Sequence, residues 1–343
     1  MSVGRLRAFL AAVGVLLVAG SASSGASAAT ALPAHVYAPY FETWTTDSIS
    51  TTAQNSGSSY FTLAFLETLS KTSCTLAWNG SKTDLASGTR YDLDISTLRG
   101  MGGDVIPSFG GWSADQGGTE IADSCKNVDS IAAAYEAVIT KYEVARLDMD
   151  VEGRSLTRTD GIDRRNKALK IVEAWAKNQG RPFQVSYTLP TSASGLEPSG
   201  VAVLQNAIDN GTNVDVVNIM TFDYYDRVTT DMGAAAMNAA NGLLGQLATL
   251  YPGKTAAQRA AMVGITLMPG LDDYPRRTES TSVADAQTVY DFARTNTFNT
   301  LSIWAVQRDN GGCPGSTGSN NCSGIVQNTW DFSHVLNSFS GTW

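Results

Sequence analysis

The chain has 343 residues, with 24 Lys and Arg against 32 Asp and Glu, a formal net charge of −8. An acidic surface repels polyanions, which argues against nucleic acid and anionic membranes as partners and favours a neutral substrate. Only two histidines occur, His35 and His334. No nucleophile-elbow motif accompanies either, so Ser-His-Asp and Cys-His chemistry is set aside and any catalysis falls to carboxylates.

Residues 1–29 read as a secretory signal peptide. Arg5 and Arg7 make a positive start, Ala8 to Ala19 is an apolar run, and Ala26-Ser27-Ala28 offers a small-x-small cleavage site. The run is shorter than the about 18 apolar residues needed to span a bilayer, and no later stretch reaches that length. An uncleaved anchor is the alternative reading. Cleavage removes two positive charges, so the net charge becomes 22 minus 32, or −10. Residues 30–343 are then expected to form one secreted, monomeric domain, of a length ordinary for an α/β barrel. An even number of cysteines in an exported chain suggests disulfides. Cys313 and Cys322 flank a Gly/Ser/Asn-rich stretch and would close it locally, leaving Cys74 to pair with Cys125 across neighbouring loops. None of the four has zinc-ligand spacing, and neither metal nor cofactor is expected.

Eight strand candidates follow in order: Val36–Phe41, Tyr60–Leu66, Asp104–Ser108, Arg146–Val151, Phe183–Thr188, Val214–Met220, Met262–Leu267 and Thr300–Ala305. Runs as continuously apolar as Val214–Met220 suit a parallel sheet covered on both faces. Helical spacing appears between them at Ile131, Tyr135, Val138 and Ile139, then at Ile162, Leu169, Val172, Trp175 and Ala176 before Gly180. It returns at Val201, Leu204 and Ile208, at Ala286, Val289, Tyr290 and Ala293, and at Trp330, Phe332, Val335 and Leu336. This alternation predicts an α/β fold, a closed (β/α)8 barrel, with an open doubly wound sheet as the alternative. No Gly-x-Gly-x-x-Gly follows the first strand, which weakens a dinucleotide-binding sheet. No linker marks off a second domain. Ser192–Gly200 and Gly311–Ser323 read as loops, and in a barrel such strand-to-helix loops surround the active site.

The fourth strand candidate carries the chemistry. In Arg146-Leu147-Asp148-Met149-Asp150-Val151-Glu152 the acids alternate with apolar residues, so Asp148, Asp150 and Glu152 share one face. Inside a barrel, burial and mutual repulsion must raise at least one of their pKa values. A carboxylic acid held protonated near neutral pH is what a glycosidic leaving group requires. Solvated acids on an edge strand are the bland alternative, weakened by the apolar opposite face.

With these residues the sequence resembles the family-eighteen glycoside hydrolases, chitinases and related endo-β-N-acetylglucosaminidases. Their fourth strand carries Asp-x-x-Asp-x-Asp-x-Glu, matched in its last three acids by Asp148, Asp150 and Glu152. Their third-strand Ser-x-Gly-Gly is Ser108-Phe109-Gly110-Gly111, their sixth-strand Met and Asp are Met220 and Asp223, and their eighth-strand Trp is Trp304. The resemblance implies substrate-assisted catalysis, in which family members depart from the two-carboxylate scheme. Glu152 would donate the proton, Asp150 would orient the substrate's 2-acetamido group, and Asp148 would share a proton with Asp150. Tyr40, Ser108, Met220, Asp223, Tyr224 and Trp304 are the candidate substrate-binding residues. Two departures stand out: the family's first Asp falls on Ala145, and its acetamide-binding Tyr falls on Phe222, leaving Tyr224 or Tyr225 to replace it. Trp44, Trp78 and Trp112 follow strands and are candidates for sugar stacking or for packing. The expected substrate is chitin or another N-acetylglucosamine-containing glycan. An N-glycan-trimming enzyme and a non-catalytic chitin-binding barrel are the competing readings.

Overall fold

A computed structural model describes Met1 and residues 31–273, 279–316 and 320–343. The expected signal peptide, Met1 apart, lies outside the described residues.

The first barrel strand is written in two pieces, β1 (Val36–Tyr37) and β2 (Tyr40–Glu42). Pro39 between them has no N–H to give to a ladder, although its carbonyl still receives Thr62 N–H at 3.0 Å. Helix α1 (Ile49–Ser56) leads to β3 (Tyr60–Thr68), which folds back through β4 (Leu76–Trp78) before α2 (Asp92–Gly100). Strand β5 (Asp104–Gly110) is followed by α3 (Trp112–Gly117), α4 (Ile121–Ser124) and α5 (Val128–Tyr142). Then come β6 (Arg146–Asp150), α6 (Thr159–Asn178), β7 (Gln184–Ser192), β8 (Gly195–Leu196) and α7 (Pro198–Asp209). The chain continues through β9 (Val216–Met220), α8 (Met232–Leu250), α9 (Ala256–Ala260) and β10 (Val263–Leu267). It ends with the small pair β11 (Gly270–Leu271) and β12 (Ser280–Thr281), then α10 (Val283–Thr295), β13 (Thr300–Ile303) and α11 (Asp331–Leu336).

All eight runs expected as strands form, and they close. Parallel pairing proceeds β2-β3-β5-β6-β7-β9-β10-β13 and returns to β1, with Val36 opposite Thr300 and Tyr40 opposite Thr62. The fold is therefore a (β/α)8 barrel, and the open-sheet alternative is ruled out. Side-chain alternation divides each strand. On β6 the outward Leu147 and Met149 are buried under the helices, while Arg146, Asp148 and Asp150 point to the barrel axis. Most helix faces read from spacing are the buried ones, including Tyr135 and Ile139 on α5 and Val172 on α6. On α7 the buried face is instead Val203, Leu204 and Ala207, with Val201 and Ile208 only partly covered. Gly180, with φ of +64°, lies two residues beyond α6 as a stop should.

One loop expectation is corrected. Within 192–200 the chain does not wander: Thr191 pairs with Leu196 and Ser192 with Gly195, making β8 the return of a hairpin on β7. The run is too short and too polar for periodicity to register. The cysteines pair as Cys74–Cys125 and Cys313–Cys322, with Cα–Cα distances of 4.8 and 5.9 Å. Among the described residues no helix is long and apolar enough to cross a membrane.

Candidate active site

The barrel interior is polar in layers. Deepest is Arg146, fully buried, whose guanidinium donates to Gln184 Oε1 (2.8 Å), Asn299 Oδ1 (3.0 Å) and Thr300 Oγ1 (3.1 Å). One step up, Asp148 receives the hydroxyls of Ser108 (2.7 Å) and Thr188 (2.8 Å), with the Tyr40 hydroxyl 2.9 Å away. Asn218 extends this layer by donating to Thr188 (3.0 Å) and Thr266 (2.7 Å). Burial raises the Asp148 pKa, and the three hydroxyls oppose the rise because they stabilise the charged form.

Asp150 lies above and lacks that support. Its Oδ1 has no hydrogen-bond partner, and the residue is 3% exposed. Burial, then repulsion from Glu152, Asp148 and Asp115, push its pKa well above the ordinary carboxylate range. Glu152, at the rim, is raised to about 7, chiefly by burial, while the Trp112 N–H lowers it by stabilising its charge. Two neighbouring carboxyls with raised pKa values cannot both ionise cheaply, which favours a proton on one of them at neutral pH.

The Gly-Gly of the third strand has a steric role. A Cβ on Gly110 would sit 2.1 Å from Asp150 O, and one on Gly111 would sit 2.5 Å from the Phe65 ring. Both positions also have positive φ, +100° and +81°. Only glycine lets β5 lie this close to the acid-bearing strand.

A cavity of about 550 Å³ opens over Asp150 and Glu152. Its aromatic floor is Trp304, with ring centroids 5.5 Å from both Phe65 (stacked) and Tyr40 (edge-on). Met220, Phe222, Asp223 and Tyr225 make the wall after the sixth barrel strand, and Trp44, Glu67, Asn79 and Trp112 the opposite one. Apolar ring faces with a few polar groups between them suit a pyranose.

Of the nine residues singled out in sequence, Tyr40, Asp150, Glu152, Met220, Asp223 and Trp304 line this cavity. Asp148 and Ser108 are buried and bonded to each other just beneath Asp150. Tyr224 is the exception. It packs against Met220, Phe222, Met232 and Met268, away from the opening, and the half-exposed Tyr225 takes the lining position. The turn that decides this is held by Asp272, which receives Asp223 N–H at 2.8 Å, and by Glu279, which receives Tyr224 N–H at 2.9 Å and Tyr225 N–H at 3.2 Å. Trp78 is also placed inside, 1% exposed, with its Nε1 donating to the Tyr142 hydroxyl at 2.9 Å. Trp44 and Trp112 face the cavity.

The family model of the glycosyl hydrolases family 18 matches residues 36–306. The chain belongs to this family. It is 34% identical over 297 residues to a probable bifunctional chitinase/lysozyme of Escherichia coli (strain K12), and 34% over 289 residues to endochitinase 11 of Metarhizium anisopliae. Those alignments cover 84% and 81% of this chain but only 32% and 53% of the two relatives. The catalytic domain of a hyperthermophilic chitinase from Pyrococcus furiosus superposes with a TM-score of 0.79 at 29% identity, covering 91% of this chain and 96% of that one. Catalytic site mutants of that thermostable chitinase, complexed with chito-oligosaccharides, superpose with a TM-score of 0.78. Relative to the family-18 pattern, the present site keeps the last three acids and exchanges Tyr for Phe222.

Burial of carboxyls in and around this family-18 cavity has a measurable consequence for stability. It raises Glu152 to about 7, Glu42 to about 8 and Asp223 to about 9. The folded state thus keeps protons that the unfolded chain releases above about pH 4.5. The associated stability is full below that point and is lost as pH rises through the folded values. The thermal midpoint is expected to be higher at pH 5 than at pH 9, and calorimetry finding the reverse order would contradict these assignments.

Proposed function

We propose that this chain is a secreted chitinase that cleaves β-1,4-linked N-acetylglucosamine by substrate-assisted, retaining catalysis. The observation that carries the proposal is the pair Asp150–Glu152, both lining a cavity floored by Trp304 and both raised in pKa by burial. Glu152 gives its proton to the glycosidic oxygen. The substrate's 2-acetamido carbonyl attacks the anomeric carbon, forming an oxazolinium ion, as Asp150 accepts the acetamido N–H and stabilises the positive charge. Water, deprotonated by Glu152, then opens the ring. Two features support this route over an enzyme nucleophile. Asp150 stands two residues from Glu152 on the same strand face, hence on the same side of the bond. Asp223, across the cavity, is raised to about 9 by burial and neighbouring acids, and a protonated carboxyl is a poor nucleophile.

The chito-oligosaccharide complex of the Pyrococcus furiosus relative supports the substrate class. Export rests on the leader pattern of residues 1–29 and on two disulfides, which persist in oxidising compartments. Residues 30–343 are then the mature, monomeric catalytic domain. Incubation with chito-oligosaccharides and, separately, with a high-mannose glycopeptide tests the assignment: mass analysis should show cleavage of the first. Cleavage of the glycopeptide alone would make the chain an N-glycan endoglycosidase instead.

Tyr225 takes the place of the missing family Tyr, donating its hydroxyl to the acetamide oxygen. A hydrogen bond to a group gaining charge contributes about 1.5–3 kcal/mol. Tyr225→Phe should therefore lower kcat/KM by roughly 10- to 100-fold, with Tyr224→Phe near the parent. The opposite ranking in steady-state assays would return the role to Tyr224.

A further inference from the structure

We propose that Asp115 is a positioning residue for the proton donor, holding the Glu152 peptide in place of a missing rung of the barrel ladder. This rests on the reading of Glu152 as the acid.

The need arises from how the third and fourth barrel strands part. Gly111 N–H donates to Asp150 O at 3.0 Å, and in a parallel ladder the next rung would run from Glu152 N–H to Gly111 C=O. That carbonyl is already taken. It receives Asp115 N–H at 3.0 Å, the first turn of α3. On the far side the fifth barrel strand is engaged with the preceding residue, Val151 N–H to Thr188 O at 3.0 Å. The Glu152 N–H is thus left without a strand partner, and a buried N–H left unpaired is costly. Asp115 Oδ2 accepts it. The helix that displaces the rung also supplies its replacement, three residues into its first turn.

Asp115 is itself rigidly placed. Its side chain is completely buried, and its other oxygen has no hydrogen-bond partner. The charged groups facing it are Glu120 at the start of α4, Arg165 on α6, and Asp150 and Glu152 from the fourth strand. Glu120 and Arg165 form a buried ion pair, 3.0 Å apart and each 1% exposed. With that cation engaged and three carboxyls close by, Asp115 is best accommodated neutral, which burial and repulsion favour. A neutral carboxyl still accepts through its carbonyl oxygen, so the role is that of an acceptor and not of a charge. Holding the peptide fixes where the Glu152 side chain begins, and displacing an acid by about 1 Å can cost about 10²-fold in rate.

The test compares variants that remove the acceptor with one that keeps it. Asp115→Ala and Asp115→Leu, the latter filling the volume, should lower kcat on chito-oligosaccharides by about 10- to 100-fold with KM nearly unchanged. Asp115→Asn, whose amide oxygen can accept the same N–H, should recover activity to within about threefold of the parent. Wild-type kcat in the Leu variant, or an Asn variant as impaired as Leu, overturns the proposal. If the acceptor-removing variants do not fold, amide NMR of the unmodified protein decides. The Glu152 amide proton should resonate far downfield and be protected from exchange, whereas an ordinary shift with fast exchange overturns the proposal. A parallel Glu152→Gln assay separates the two ideas. Loss of activity there alongside indifferent Asp115 variants refutes only the positioning role, while an active Glu152→Gln enzyme refutes the acid assignment itself.

Discussion

Glu152→Gln is expected to lower hydrolysis of chito-oligosaccharides by about 10²–10⁴-fold, the usual contribution of a general acid, while leaving their binding nearly intact. The amide keeps the shape and the hydrogen bonding of the side chain but has no proton to give. Binding survives because it depends on the aromatic floor and walls around Trp304, which the substitution does not touch. Product formation over time and calorimetric titration of the oligosaccharide measure the two quantities separately. In the parent, Glu152 is active as donor only when protonated, and its pKa is raised to about 7. The rate should accordingly fall as pH rises through about 7. Asp150→Asn should also slow turnover, since it neutralises the partner of the oxazolinium. Ser108 and Asp148 act one layer below, through hydrogen bonds such as the 2.7 Å Ser108–Asp148 contact, and their replacement should cost less. A Glu152→Gln enzyme hydrolysing at the parental rate would remove Glu152 from the mechanism, and loss of oligosaccharide binding would assign it a binding role instead.

A second large effect concerns the substrate. If the nucleophile is the 2-acetamido carbonyl, its removal deletes the reacting atom. Asp223, the carboxyl across the cavity, has its pKa raised to about 9 and so is a poor replacement. Cello-oligosaccharides, which share the β-1,4 linkage but carry hydroxyl in place of acetamido, should show no detectable cleavage at enzyme concentrations that exhaust chito-oligosaccharides within minutes. The intramolecular attack enjoys a high effective molarity that water cannot match. An inhibitor resembling the oxazoline should bind far more tightly than the oligosaccharide, because it presents the charge and geometry the site is built to stabilise. Reducing-sugar assays and inhibition constants suffice. Measurable cellulolysis, or an oxazoline mimic no tighter than substrate, would point to an enzyme nucleophile such as Asp223 or Asp150.

The contrast between Asp150 and Tyr225 shows where sequence reading reaches its limit. Along a strand, side chains alternate whatever the fold, so Asp148, Asp150 and Glu152 could be placed on one face from their spacing alone. The apolar partners Leu147 and Met149 identified the other face as covered, and eight such runs separated by helical patterns made closure into a barrel the economical arrangement. The pairing of Cys313 with Cys322 was likewise legible, because a short loop brings its own ends together. Beyond the strand ends this logic stops. Asp223 and Tyr225 have positive φ, 51° and 57°, so alternation no longer tells which of two consecutive tyrosines meets the cavity. The carboxylates that hold that turn, Asp272 and Glu279, come from some 50 residues further along the chain. Trp78 could be read for sugar stacking or for packing, and it is the fold of β4 back on β3, giving its N–H to Tyr142, that decides for packing. Arg146 shares the parity of the acids, yet its amide and hydroxyl partners come from other strands and could not be read from spacing. Asp115 carries no local signal either, for its partner is a peptide N–H, a group every residue but proline has. Local periodicity determined the strands, the barrel and the three acids, because each depends on neighbours within a few residues. Tertiary structure decided which tyrosine, which tryptophans and which buried carboxyl attend them, because those contacts are made between segments whose approach no short-range pattern encodes.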